Sequence, residues 1–169
     1  MMSIDFHSRR KWFDDYMRRA GSGEIELPAR GHRYMCPCCG YPTIEEKRAS
    51  WEICSLCNWE DDGQDDPDAD KVAGGPNYSY SLSEARENFE KYLIKFNPDR
   101  PATSMGGNEN SLAQMRAKSE IVEAFNNMVS ETDEAALAAL WQTVYDNEWT
   151  VEQDVYRIVR NYEARMKGK

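Results

Sequence analysis

The chain has 169 residues, of which 40% are apolar and 30% charged, so it can bury the core of one ordinary domain. Its net charge of −9 at pH 7 argues against a general nucleic-acid-coating protein, because affinity for phosphates comes from Lys and Arg. No apolar run approaches the ~18 residues of a membrane span, and Met1-Met2-Ser3-Ile4-Asp5 lacks the basic lead and apolar block of a secretory signal, which sets a cytoplasmic expectation.

Residues 3–19 predict a helix: Phe6, Phe13, Tyr16, Met17 and Ala20 recur at near-helical spacing, with Ser3 as the cap. Its bases, Arg9, Arg10, Lys11, Arg18 and Arg19, alternate with Asp5, Asp14 and Asp15 and read as a solvated face. Gly21-Ser22-Gly23 ends it, and a linker containing Pro28 runs to Gly31. Short strands are expected at 34–35, 41–46 and 49–53, around two cysteine turns. Residues 60–70 hold seven acids and no base. Ser81-Leu82-Ser83-Glu84 fits a capping box; Leu82, Ala85, Phe89, Leu93 and Phe96 line the helix behind it until Asn97-Pro98 stops it. A linker follows at 98–110.

The remainder predicts three helices. The first, 111–129, opens on Ser111 and Gln114 and buries Leu112, Met115, Val122, Phe125 and Val129. The second, 133–147, is capped by Thr132 and buries Leu137, Leu140, Trp141 and Val144. The third, 150–166, opens on Thr150 and Gln153 with a stripe of Val151, Val155, Ile158, Val159, Tyr162 and Met166.

All five cysteines fall between Cys36 and Cys57. Clustering of this kind favours metal over a disulfide framework. Cys36 and Cys39 form one C-x₂-C pair, Cys54 and Cys57 the other, with fourteen residues between them. Two intervening residues let one tight turn aim both sulfurs at one ion. Gly40 and Asn58, each just after a pair, suit the left-handed backbone of such a turn. Four thiolates select tetrahedral Zn2+ or iron, and they leave no open position, so the expected role is structural. Buried free thiols and a rubredoxin-like iron site are the alternatives. Cys38 is expected to face away from the ion as a small, partly buried side chain.

The motifs Tyr34-Met35-Cys36-Pro37-Cys38-Cys39-Gly40-Tyr41, Trp51 to Gly63 with its Cys54-Ser55-Leu56-Cys57-Asn58-Trp59 centre, Asp66-Pro67-Asp68, Gly74-Gly75-Pro76-Asn77 and Ser81 to Phe89 occur in this order. Together they resemble the bacterial cysteine-rich CPCC family over roughly residues 33–96. The resemblance implies a small zinc-ribbon-like domain with no assigned enzymatic activity, and a link to the immunity partners of secreted bacterial toxins.

The expected fold is α+β: a small β-hairpin zinc ribbon flanked by helices, with a C-terminal helical unit. Its parts are 1–31 (helix and linker), 32–97 (zinc module, acidic loop and helix) and 98–169 (linker and three helices). The expected partner is a protein, a basic secreted toxin in the narrowest form. The acids offered to it are Asp61, Asp62, Asp65, Asp66, Asp68 and Asp70, then Asp146 and Glu148, since complementary charge speeds and selects encounter. A calcium reading of Asp66, Asp68 and Asp70 fails at Lys71 and Asn77, where a loop of that type needs Gly and Glu. Trp51 and Trp59 are expected to pack over the cysteine turns, and Trp141 and Trp149 in the helical tail. His7 and His32 have no partner pattern for catalysis, and no enzyme is expected. The competing reading is a nucleic-acid-binding or transcription-associated zinc ribbon using Arg9, Arg10, Arg18, Arg19, Arg30 and Arg33.

Overall fold

The computed structural model describes residues 4–27, 30–101 and 107–167. Helix α1 (Phe6–Gly21) comes first, then an antiparallel pair of short strands, β1 (Tyr34–Met35) and β2 (Pro42–Ile44). Two single 3-10 turns follow, and then helices α2 (Leu82–Tyr92), α3 (Leu112–Met128) and α4 (Glu134–Lys167). The fold is α+β, with the cysteines clustered at the hairpin. No helix among the described residues is long and apolar enough to cross a membrane.

Helix α1 is capped by Asp5, whose carboxylate accepts the Ser8 N–H at 3.0 Å; Ser3 lies outside the described residues. Its buried face is Arg9, Phe13, Tyr16 and Met17. Residues 49–53 do not form the expected strand. Ala49 and Trp51 have positive φ of 64° and 66°, which breaks an extended run, and the segment wraps Asp61 instead. The Asp61 carboxylate accepts Ala49 N–H at 2.9 Å, and its carbonyl accepts Trp51 N–H at 3.1 Å. One bridge, Ile53 with Glu60, remains.

Helix α2 begins at Ser81, whose hydroxyl accepts the Glu84 N–H. The Glu84 carboxylate pairs with Arg100. The helix ends at Tyr92, earlier than expected. Leu93 turns left-handed, and the Lys95 N–H is drawn to the Cys57 carbonyl at 2.8 Å, away from the helical path. Helix α3 carries the full Ser111–Gln114 capping box. Its buried face is Gln114, Ala117, Lys118, Ile121, Ala124, Phe125 and Met128, rotated from the expected stripe: Leu112 is 82% exposed. The rotation brings the ammonium of Lys118 to three oxygens and the Ser111 hydroxyl to Asp154 of α4 at 2.7 Å.

The two last predicted helices are one. Residues 148–150 contain no Gly or Pro to break them, and Thr150 returns its hydroxyl to the Asp146 carbonyl at 3.0 Å, as a helix-interior residue does. Asp133, not Thr132, caps α4 by accepting the Ala136 N–H.

The main core draws on all four helices, the hairpin and both cysteine turns, and Tyr80, Ile94 and Phe96 form a second, small cluster. The centre of the main core is aromatic. Phe125 of α3 meets Phe13 of α1 at 5.3 Å, Tyr41 beside the first cysteine pair at 5.2 Å, and Trp141 of α4 at 5.6 Å. Truncating such a fully buried ring removes transfer energy and leaves a cavity. Phe125→Ala is expected to cost about 3–5 kcal/mol in urea unfolding, and a cost below 1 kcal/mol would show that this junction is not the core's centre.

Candidate metal centre

The two cysteine turns are built alike. In the first, Cys36 N–H reaches Tyr41 O and Gly40 N–H reaches Cys36 O, both at 2.9 Å. In the second, Cys54 N–H reaches Trp59 O at 2.8 Å and Asn58 N–H reaches Cys54 O at 3.0 Å. Gly40 and Asn58 take the matching left-handed conformation, φ 76° and 67°. Tyr41 and Trp59, at equivalent places, are both buried.

The turns face each other across Cys36, Cys39, Cys54 and Cys57, all at most 1% exposed, with sulfurs within 4.8 Å of one another. Cys36 Sγ lies 3.6 Å from Cys57 Sγ, and Cys39 Sγ 3.7 Å from Cys54 Sγ. Sulfurs about 2.3 Å from a tetrahedral ion stand about 3.8 Å apart, so the donor set fits a metal ion. The second turn also aims donors at sulfur: Cys57 N–H at Cys54 and Trp59 N–H at Cys57, both at 3.4 Å. Thr43 places its hydroxyl 2.9 Å from Cys54 Sγ. Burial pushes the Cys36, Cys39 and Cys57 thiols well up. At Cys54 burial acts the same way, but hydrogen bonds from the other three and from Thr43 outweigh it and hold the thiol well down. A soft cation would displace the protons that remain, which ties its affinity to pH. Cys38 stands outside this set of four and is fully buried, not partly as expected.

Residues 34–94 match the family described as Cysteine-rich CPCC. Comparison with curated proteins and with solved structures gave no match. The family resemblance and the four-cysteine cluster together mark the CPCC segment as a metal-binding module.

Each turn of the CPCC segment is seated by a cation from outside it. Arg9 of α1 is buried, donates from Nε to Cys39 O at 2.7 Å, and lies over the Tyr41 ring at 4.8 Å. A Cβ at Gly40 would come within 3.1 Å of the Phe6 ring and 3.3 Å of Arg9 Nε, so glycine is needed for this contact as well as for the turn. Tyr41, enclosed between Arg9 and Phe125, is pushed up to about 12 by burial. On the second turn Lys118 of α3 donates to Asn58 Oδ1 at 3.0 Å, Asn110 Oδ1 at 2.8 Å and Leu93 O at 3.3 Å. The ammonium is fully enclosed. Burial pulls it down to about 8, while the Cys57, Cys54 and Cys39 thiols act in the opposite sense. The sequence signal for this residue is a lysine in step with Gln114, Ile121 and Phe125 on the buried side of α3.

The predicted partner acids are divided by the structure. Asp61 is fully buried and accepts Arg48 Nε at 2.8 Å, so it presents no surface. Asp65 accepts Arg10 at 2.6 and 2.7 Å and Arg48 at 2.8 Å. Asp66 accepts Arg86 at 2.6 Å, Asp70 the Ser83 hydroxyl at 2.6 Å, Asp62 Asn77 Nδ2 at 3.1 Å, and Asp68 the Asp65 N–H at 2.9 Å. The loop thus binds α1, α2 and the Arg48 segment to one another. Glu148 grips buried Arg33 with both oxygens, at 2.8 and 2.9 Å, and accepts Ser55 Oγ inside the second turn at 3.1 Å. Asp66, Asp70 and Asp146 stay exposed. Trp59 is buried, but Trp51 and Trp149 are 59% and 62% exposed, since neither lies on the inner side of its segment.

Three outcomes follow from this geometry. Serine at Cys36, Cys39, Cys54 or Cys57 is expected to abolish metal binding and unfold the segment, whereas Cys38→Ser keeps the ion, by metal analysis of each purified variant. Lys118→Met is expected to weaken metal affinity about tenfold, because it removes the enclosed cation beside the sulfurs; chelator competition reads the change. For Asp65, burial raises the carboxyl, but Arg10 and Arg48 outweigh it and hold it well below the usual carboxylate range. Its folded value is depressed, so its contribution is present at neutral pH and is lost as pH falls through that value. Asp65→Asn is expected to lower stability at pH 7 by about 1–3 kcal/mol and to flatten the loss below about pH 4, measured by urea unfolding across pH.

Proposed function

We propose that this chain is a protein-binding module braced by a structural zinc ion, and that its partner is a basic bacterial toxin which it neutralises as an immunity protein. The observation that carries the reading is the closed, buried set of four sulfurs. When bound, zinc would supply folding energy, on the order of 10–16 kcal/mol in small finger peptides, and with four sulfurs no position for a substrate. We therefore assign the chain no catalytic step. The net charge of −9 and the exposed carboxylates of Asp66, Asp70 and Asp146 suit a basic partner.

The nucleic-acid alternative finds less support. Arg9 meets Glu90, Arg10 meets Asp65, Arg18 meets Asp15 and Arg33 meets Glu148, while Arg30 lies over the Tyr145 ring at 4.4 Å. At Arg9, Arg10, Arg18 and Arg33 a phosphate would compete with a carboxylate already in place.

Two measurements test the proposal. The purified chain is expected to carry one zinc per molecule; iron in its place would reject the zinc assignment, and no metal at all would remove the brace. Co-expression with basic proteins encoded beside its gene is expected to protect cells from one of them. That protection should fall at least about tenfold when Asp66, Asp70 and Asp146 are all changed to Lys with zinc retained. Protection against none of them, or protection indifferent to the three acids, would reject the toxin assignment while leaving the metal site standing.

A further inference from the structure

Helix α4 is twice the length of the helix it packs on. At 1.5 Å per residue its 34 residues span about 51 Å, against about 26 Å for the 17 of α3. Its inner face is buried at Trp141, Val144, Val151 and Asp154. The same face continues as Val155, Val159, Tyr162 and Met166, at steps of 4, 3 and 4, with Ile158 beside them. From 155 to 167 no residue is buried, and Val155, Tyr162 and Met166 are 39%, 39% and 54% exposed. Steps of 4 and 3 make the seam of paired helices, and a helical stretch without packing is marginal in water.

Charge is divided along this stretch. Its root holds Glu148, Glu152 and Asp154; its far part holds Arg157, Arg160, Arg165 and Lys167 against one acid, Glu163. The root borders an open groove of about 580 Å³ between α4 and the second cysteine turn, walled by Ile53, Trp149, Val155 and Tyr156 and by the acids Glu52 and Glu152. Ile53, Trp149 and Tyr156 are each more than half exposed. Of the groove's two bases, Arg33 is paired with Glu148 and Arg30 lies over the Tyr145 ring, so its four acids, Glu45, Glu52, Glu148 and Glu152, leave it acidic.

We propose that the stripe and groove receive the α4 end of a second copy of this chain, the two helices crossing antiparallel about a twofold axis near residues 160 and 161. Val155 then meets the second copy's Met166, and Val159 its Tyr162. The basic end, Arg165 and Lys167, reaches the acidic groove at Glu52 and Glu152, and the symmetry makes the contact twice. A parallel pair would set bases against bases.

Sedimentation equilibrium of the full, metal-loaded chain from about 1 to about 100 μM tests this. A monomer–dimer equilibrium is expected. Val159→Asp should weaken it at least about tenfold by placing a charge in the seam, with helix content and metal retained because the position lies on a solvated stretch. Glu152→Lys should also weaken it, and adding Arg165→Glu with Lys167→Glu should restore it. A monomer throughout, a dimer indifferent to Val159→Asp, or a charge reversal that fails to recover would overturn the proposal. None of these substitutions touches a cysteine or the exposed acids Asp66, Asp70 and Asp146, so the result stands apart from the toxin reading.

Discussion

Four sulfurs held within 4.8 Å of one another, shut away from water, are the constraint to which the rest of this structure answers. Thiolates at that spacing repel in a low-dielectric interior, and burial drives all four toward the protonated form, outweighed by hydrogen bonds at Cys54 alone. A metal ion at the centre of the four sulfurs would resolve the conflict directly. The surrounding protein contributes in the same direction: backbone N–H groups and the Thr43 hydroxyl lie against sulfur, and a cation sits on each turn. The site is a shared charge problem between the cysteine segment and its flanking helices.

This explains why so many charged groups are spent internally. Arg9 and Lys118 are among the most buried large side chains, next to Phe13 and Trp59. Asp61 and Asp65 hold Arg48 and Arg10 rather than facing outward. Burying one partner of such a pair without the other would be strongly unfavourable, so each pair fixes the relative placement of two segments. The acidic loop works as a bracket, and only part of its charge remains for an encounter with another molecule.

The coupling also gives the helices beyond the CPCC segment a physical reason to lie where they do. Lys118 of α3 and Glu148 of α4 both reach the second cysteine turn, one through Asn58 and the other through Ser55. Phe125 and Trp141 complete the apolar side of the same junction. Helix α4 leaves this junction at Asp154 and carries its apolar face outward.

The clustering of Cys36, Cys39, Cys54 and Cys57 was legible because C-x₂-C spacing is local geometry: a turn of a few residues either aims two sulfurs together or does not. The left-handed positions at Gly40 and Asn58 and the caps at Ser81 and Ser111 were legible for the same reason. What the linear order could not decide was pairing over distance. Arg10 and Asp65 are 55 residues apart, and Arg33 and Glu148 are 115 apart; a charge on a solvated face and one in a buried pair look identical until the partner is known. The face of α3, the early end of α2 and the fusion of two predicted helices into α4 were settled by contacts from other segments. Local chemistry determined the cysteine pairs and the turns; only the tertiary structure decided which charges remained to face water, because that depends on what each one meets when the chain closes.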